Sequence, residues 1–143
     1  MQNRNEVIIS IKPKWCDLIV SGLKTVEIRK TKPDTSHGQL RVLIYKTNKG
    51  NVIGEFTLRK CSYIQAWIDG DGEKHLGNTV MLRHCVDDEE LFNYLYREPK
   101  PGEPYSGGWA WHIDNLIVYD RPKKLERVCG LKRPPQSWQY GVI

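Results

Sequence analysis

Apolar and polar positions alternate with two different periods along this chain. Glu6-Val7-Ile8-Ile9-Ser10-Ile11 is a short, β-branched, largely apolar run and reads as a buried strand. Pro13 follows, and proline suits the first turn of a helix. Trp15, Leu18 and Ile19 then recur at i, i+3 and i+4, with Cys16, Val20 and Leu23 widening the apolar face. That spacing predicts an amphipathic helix of about two to three turns. Gly22 is placed to end it, at the position that favours left-handed backbone. From Lys24 to Lys30 the period becomes two. Val26 and Ile28 point one way, while Thr25, Glu27 and Arg29 point the other.

After a loop at residues 33–38, Leu40 to Lys46 predicts a third strand. Asn48-Lys49-Gly50-Asn51 follows as a hairpin turn. Val52 to Ser62 predicts a fourth strand, with Gly54 marking a bulge. A β-α-β-β-β opening argues for an α+β, barrel-like domain rather than a doubly wound parallel sheet. Asp69-Gly70-Asp71-Gly72 is a turn cluster, too short for a calcium loop. Asp87-Asp88-Glu89-Glu90 precedes Leu91, Phe92, Leu95 and Tyr96, which predicts an acidic helix of about three turns with its carboxylates favourably placed at the N-terminus. The reading is one domain over 1–143, with residues 63–105 a helical and loop insertion. Trp109-Ala110-Trp111-His112-Ile113 and Leu116-Ile117-Val118-Tyr119 supply later strands. The tail Lys132-Arg133-Pro134-Pro135-Gln136-Ser137-Trp138-Gln139-Tyr140 is held extended by its prolines.

Charge adds to this picture through its distribution. The net charge is +5, yet residues 1–60 carry 12 Lys/Arg against 5 Asp/Glu, residues 61–120 carry 4 against 11, and residues 121–143 carry 6 against 1. The two ends are expected to share a basic surface that attracts phosphate. With 39% hydrophobic and 27% charged residues, the chain is neither disordered nor fibrous. Its polar start lacks the apolar region of a signal peptide, and no apolar run approaches the ~20 residues that span a bilayer. A cytoplasmic protein without membrane contact is expected, with Cys16, Cys61, Cys85 and Cys129 reduced. Cys61, His75, His84 and Cys85 fit no common zinc spacing, so no metal and no cofactor are expected. His37 and His112 are lone histidines with surface or hydrogen-bonding roles.

The chemistry concentrates between Ser10 and Arg29. Pro13 and Trp15, followed by Gly22-x-Lys24-x-x-Glu27-x-Arg29, resemble the ASCH domain, a PUA-like β-barrel family. The likeness is clearest over about the first 60 residues. It continues in Trp109-Ala110-Trp111-His112-Ile113 and in the Arg133–Tyr140 tail, as in small bacterial and phage members. The resemblance implies a barrel of about five to six strands with a short helix after the first. It also implies a cleft for RNA or a nucleoside-like ligand, reached by Gly22, Lys24, Thr25, Glu27 and Arg29. Physically, Glu27 and Arg29 set an acceptor beside a planar five-donor fork, about 6–7 Å apart along one strand face. Arg29 and Lys24 can hold phosphate, and Glu27 can accept from a base amino group. The alternative is an ion pair on a solvated strand.

Trp109 and Trp111 share a strand face and are candidate stacking platforms, or core residues. Trp15, on the apolar helix face, reads as core. Trp138 reads as an exposed or docking aromatic. Some relatives remove the acetyl group of N4-acetylcytidine with a lysine, a threonine and a glutamate; one is a metal-assisted ribonuclease. In this chain Glu27 occupies the threonine position, and Lys24 and Glu27 are the catalytic pair if the protein is a hydrolase. The family glutamate falls in the insertion, near Glu89 or Glu90. A third class is an interaction module that docks a protein on the acidic helix, residues 87–97. Its protein partner is not legible in the sequence.

Overall fold

The computed structural model describes residues 2–48, 50–103 and 105–142. Among them are nine strands and three helices. In order these are β1 (Gln2–Ile11), α1 (Pro13–Val20), β2 (Val26–Arg29), β3 (Leu40–Lys46), β4 (Asn51–Leu58) and β5 (Cys61–Ile68). They continue with β6 (Lys74–Gly77), α2 (Asp88–Leu95), β7 (Ser106–His112), β8 (Asp114–Lys123), α3 (Leu125–Cys129) and β9 (Trp138–Val142). The fold is α+β, as the alternating periods predict. The expected closed barrel of five to six strands does not appear. The ladders form two separate sheets, ordered β8-β4-β3-β1-β9 and β2-β7-β5-β6.

Layering explains the residue patterns. Val7, Ile9 and Ile11 of β1, with Val42, Ile44, Phe56 and Leu58, pack between the sheets against Trp111 of β7. On the far side of the first sheet, Ile8, Leu43 and Val52 are covered by Leu125 of α3. On the far side of the second sheet, Val26, Ile28, Ile64 and Ala110 are covered by Leu91, Phe92 and Leu95 of α2. β1 is apolar on both faces because both faces are covered. Its parallel pairing with β3, Glu6 opposite Arg41 through Ile11 opposite Lys46, is of the kind that needs such cover.

Residues 63–105, expected as helix and loop within the domain, also carry strand. β5 is a central strand of the second sheet, paired with β7 from Cys61–Trp111 to Ala66–Ser106. The tail also differs from expectation, since residues 138–142 form the edge strand β9 against β1. The prolines confine extended, unpaired chain to the residues before it. Two glycines act as predicted. Gly22 follows α1 with φ +83°. Gly54 lies where both ladders of β4 skip a residue. In the hairpin turn before β4, Lys49 lies outside the described residues, while Asn48 and Gly50 both have positive φ.

A methyl group on Gly54 would overlap the backbone of Ile117 and Val118 on β8. Gly54→Ala is expected to lower unfolding free energy by about 1–3 kcal/mol, the usual range for overpacking. Gly70 has open space around it, so Gly70→Ala is expected to change stability by less than about 0.5 kcal/mol. Urea denaturation of the two variants checks the bulge; equal stabilities would contradict it.

Candidate functional site

β2 begins at a corner four residues beyond Gly22, and its polar face turns toward the ends of β1 and β9. Glu27 is the hub. One carboxylate oxygen, Oε1, lies 3.3 Å from the Lys24 ammonium and accepts the Ile28 backbone N–H at 3.1 Å. The other, Oε2, accepts from Arg29 at 3.0 Å. The Arg29 guanidinium also donates to the Ser10 carbonyl at 2.7 Å and to the Ser137 hydroxyl at 3.1 Å. One arginine thus ties β2 to β1 and to the segment that leads into β9. The alternative of a solvated ion pair fails on burial. The Lys24 side chain is fully buried, and that of Glu27 is 5% exposed.

Lys24 is sealed from behind. Its ammonium donates to the His84 carbonyl and lies 4.9 Å from the centre of the Trp15 ring. The strap that carries His84 is pinned to the corner by Thr25 N–H donating to the Arg83 carbonyl. It contains three non-glycine residues with positive φ, namely Asn78, Met81 and Cys85. Such backbone is uncommon and is held in place by its surroundings. Burial pulls the Lys24 amine below its ordinary titration range, with Glu27 opposing the shift.

In front of Glu27 and Arg29 is a cleft of about 390 Å³. Its walls include Trp15 of α1, Ser137 of the tail, and Glu90 and Tyr94 of α2. The Tyr94 hydroxyl is pushed up from its usual range by burial and by the Glu27 carboxylate, with Arg29 pulling down. The acidic helix, which reads in the sequence as an appendage, is one wall of the site. Glu90 and Tyr94 are i and i+4 on α2, on the face that adjoins the buried Leu91, which also lines the cleft. The helical spacing places them together, but nothing in the sequence says which surface they face.

Of the residues singled out from the sequence, the structure joins Lys24, Glu27 and Arg29. Lys24 lies one layer behind the wall. Gly22 is exposed at the end of α1, and Thr25 is half-buried under the strap. Trp111 is fully buried, and its indole donates to the Thr31 carbonyl at 3.2 Å. Trp109 is half-buried away from the cleft, with Tyr63 5.0 Å from its ring and Lys32 above it. Both tryptophans pair across the ladder with site residues, Trp111 opposite Glu27 and Trp109 opposite Arg29. Trp15, in the first turn of α1, packs in part against the core, as its core reading expects, and also lines the cleft together with Tyr94. Trp138 docks edge-on against Trp111. Cys61, His75, His84 and Cys85 do not converge, and no metal-ligating group of three or more His, Cys, Asp or Glu occurs among the described residues. All four cysteines are free. No helix among the described residues is long and apolar enough to cross a membrane.

Removing the carboxylate leaves a buried ammonium without its counter-charge. Glu27→Gln is expected to cost about 3–5 kcal/mol of stability at neutral pH, the usual penalty for breaking a buried pair from one side. The Lys24 amine is depressed in the folded state, so the unfolded chain binds more protons as the pH rises through the folded-state value. The penalty is therefore full at neutral pH and shrinks as the pH rises toward the ordinary lysine range. Lys24→Met added to Glu27→Gln is expected to recover most of the loss. Chemical denaturation across pH checks this; a Glu27→Gln protein as stable as wild type at pH 7 would remove Glu27 from its central role.

The ASCH domain family model matches residues 9–123, which runs from the last residues of β1 to the end of β8 and contains the whole Lys24–Glu27–Arg29 hub. Among solved structures, the chain is similar to the ASCH protein ZmASCH of Zymomonas mobilis. A serine-to-alanine variant of that protein matches with 24% identity and a TM-score of 0.67, over 98% of this chain and 90% of the other. The crystal structure titled simply as ASCH from the same organism matches with 24% identity and a TM-score of 0.62, over 96% and 88%. At these identities the likeness is one of fold. No match is found among the curated proteins. With the family pattern covering most of its length, this chain belongs to the ASCH domain family, a family that is generally RNA-binding.

Proposed function

We propose that the cleft binds a nucleoside-like ligand, as a free molecule or as an unpaired residue of RNA. A volume of about 390 Å³ suits one small guest and not a duplex. The observation that carries the reading is the meeting in one cleft of a carboxylate, a guanidinium and two aromatic side chains from separate elements. Stacking on Trp15 or Tyr94 tolerates any base, and polar groups at the floor read its edge. Three contacts already converge on Glu27, which leaves about one of the roughly four acceptor sites of a carboxylate for a base amino group. Arg29 and the exposed Lys12 make the cleft attractive to a phosphate at its mouth. Lys24 acts through Glu27 rather than by contact.

A second reading, hydrolysis of an N4-acylated cytidine, is favoured by one observation. Glu90 stands in the cleft with Glu27, whereas Glu89 does not line it. An exposed carboxylate facing the guest can take a proton from water as it adds to the acyl carbon and return that proton to N4 as the C–N bond breaks, releasing the acid and cytidine. With Glu27 committed to Lys24 and Arg29, Glu90 is the better base of the two.

Fluorescence titration with cytidine, N4-acetylcytidine and a short single-stranded RNA tests both readings. Tyr94→Ala is expected to weaken binding about 5- to 150-fold, the range for loss of one stacked base. Arg29→Ala is expected to reduce binding further. If both variants fold and bind as wild type does, the cleft is not the site. Acetate release from N4-acetylcytidine that disappears in Glu90→Gln selects the hydrolase reading.

A further inference from the structure

Away from the cleft, the charge partition seen in the sequence becomes a surface. The end of β8 and α3 border a groove of about 780 Å³ on the outer face of the first sheet, lined by Arg41, Lys123, Lys124 and Arg127. Arg41 is already committed. It donates to Glu6 at 2.8 Å and to Glu55 at 2.7 and 3.0 Å. Those carboxylates are thereby answered within the protein, and Lys123, Lys124 and Arg127 remain exposed on the groove.

Two features connect this groove to the cleft. Across the first sheet, Lys123 pairs with Val52, Val52 with Tyr45, and Tyr45 with Ser10, whose carbonyl holds Arg29. Three strand spacings make about 14 Å. Along the chain, α3 leads through exposed Lys132 and Arg133 to Gln136 and Ser137 in the cleft wall, and no Asp or Glu follows Glu126.

We propose that Lys123, Lys124, Arg127, Lys132 and Arg133 form a track for the phosphate backbone of a single-stranded polynucleotide, one of whose bases enters the cleft. The proposal rests on the reading of the cleft as a nucleoside site and extends it: the natural guest is a strand, not a free nucleoside. Phosphate contacts from exposed cations give affinity without sequence preference, and the cleft selects the base.

The test uses the full chain and a labelled single-stranded RNA of about eight nucleotides, a length within the usual site size of single-strand binders. Two charge reversals are made, Lys124→Glu with Arg127→Glu, and Lys132→Glu with Arg133→Glu, each checked by thermal melting. RNA affinity is expected to fall at least about tenfold in each. The slope of log K against log salt is expected to become shallower by about 1.4, for two lost single-strand phosphate contacts. Affinity for cytidine is expected to stay unchanged. RNA affinity and slope equal to wild type in both variants would overturn the track, as would a polyglutamate peptide binding as tightly as the RNA. Failure of the wild type to bind RNA at all overturns it too. Should the reversals weaken RNA while Arg29→Ala does not, the track stands and the cleft reading falls.

Discussion

Glu27 is held between two cations in a place from which water is nearly excluded, and much of the molecule is arranged around keeping it so. Lys24 approaches from the corner after α1, and Arg29 from two residues along the same strand. Through Arg29 the carboxylate reaches β1 and the segment before β9; through Lys24 it reaches the strap at His84. A buried ion triad of this kind is weak evidence for stability, because desolvation offsets much of the attraction. Its effect is one of position. Segments far apart in sequence are fixed relative to each other around a polar floor.

The same constraint accounts for the four-layer build. A polar hub cannot sit in an open face without hydrating, and here α2 and the preceding strap close over β2. Leu91, Phe92 and Leu95 bury the apolar face of the second sheet, while Glu90 and Tyr94, on the adjoining face of α2, border the cleft with Leu91. Gly108 makes this possible: a side chain there would meet Leu95 and the Arg29 carbonyl. One helix therefore covers the second sheet and furnishes a wall of the site.

Local chemistry was legible in the sequence where it was local in space. The β1–α1–β2 unit, the glycine that ends α1, the bulge at Gly54 and the shared face of Glu27 and Arg29 all follow from periodicity and turn chemistry. What sequence reasoning missed depends on long-range pairing. β5 has no clean alternation, since Cys61, Ser62 and Gln65 are half-buried between neighbours. β9 follows prolines and reads as tail until β1 is seen to offer it an edge. The choice between platform and core for Trp111 stayed open for the same reason: parity gives a face, but only the packing of two sheets says whether that face is inside. The two-sheet arrangement rather than a closed ring is likewise a property of which edges meet.

The Arg29 guanidinium has a further consequence for molecular discrimination. Because Ser10, Glu27 and Ser137 grip it from three directions before any guest arrives, it cannot swing to accommodate a misfit. On the proposed reading of the cleft as a nucleoside site, such a template has its reorganisation already completed during folding, so association would lose little protein entropy. Selectivity in such a site comes from shape and hydrogen-bond matching, and poorly fitting guests are rejected rather than adapted to.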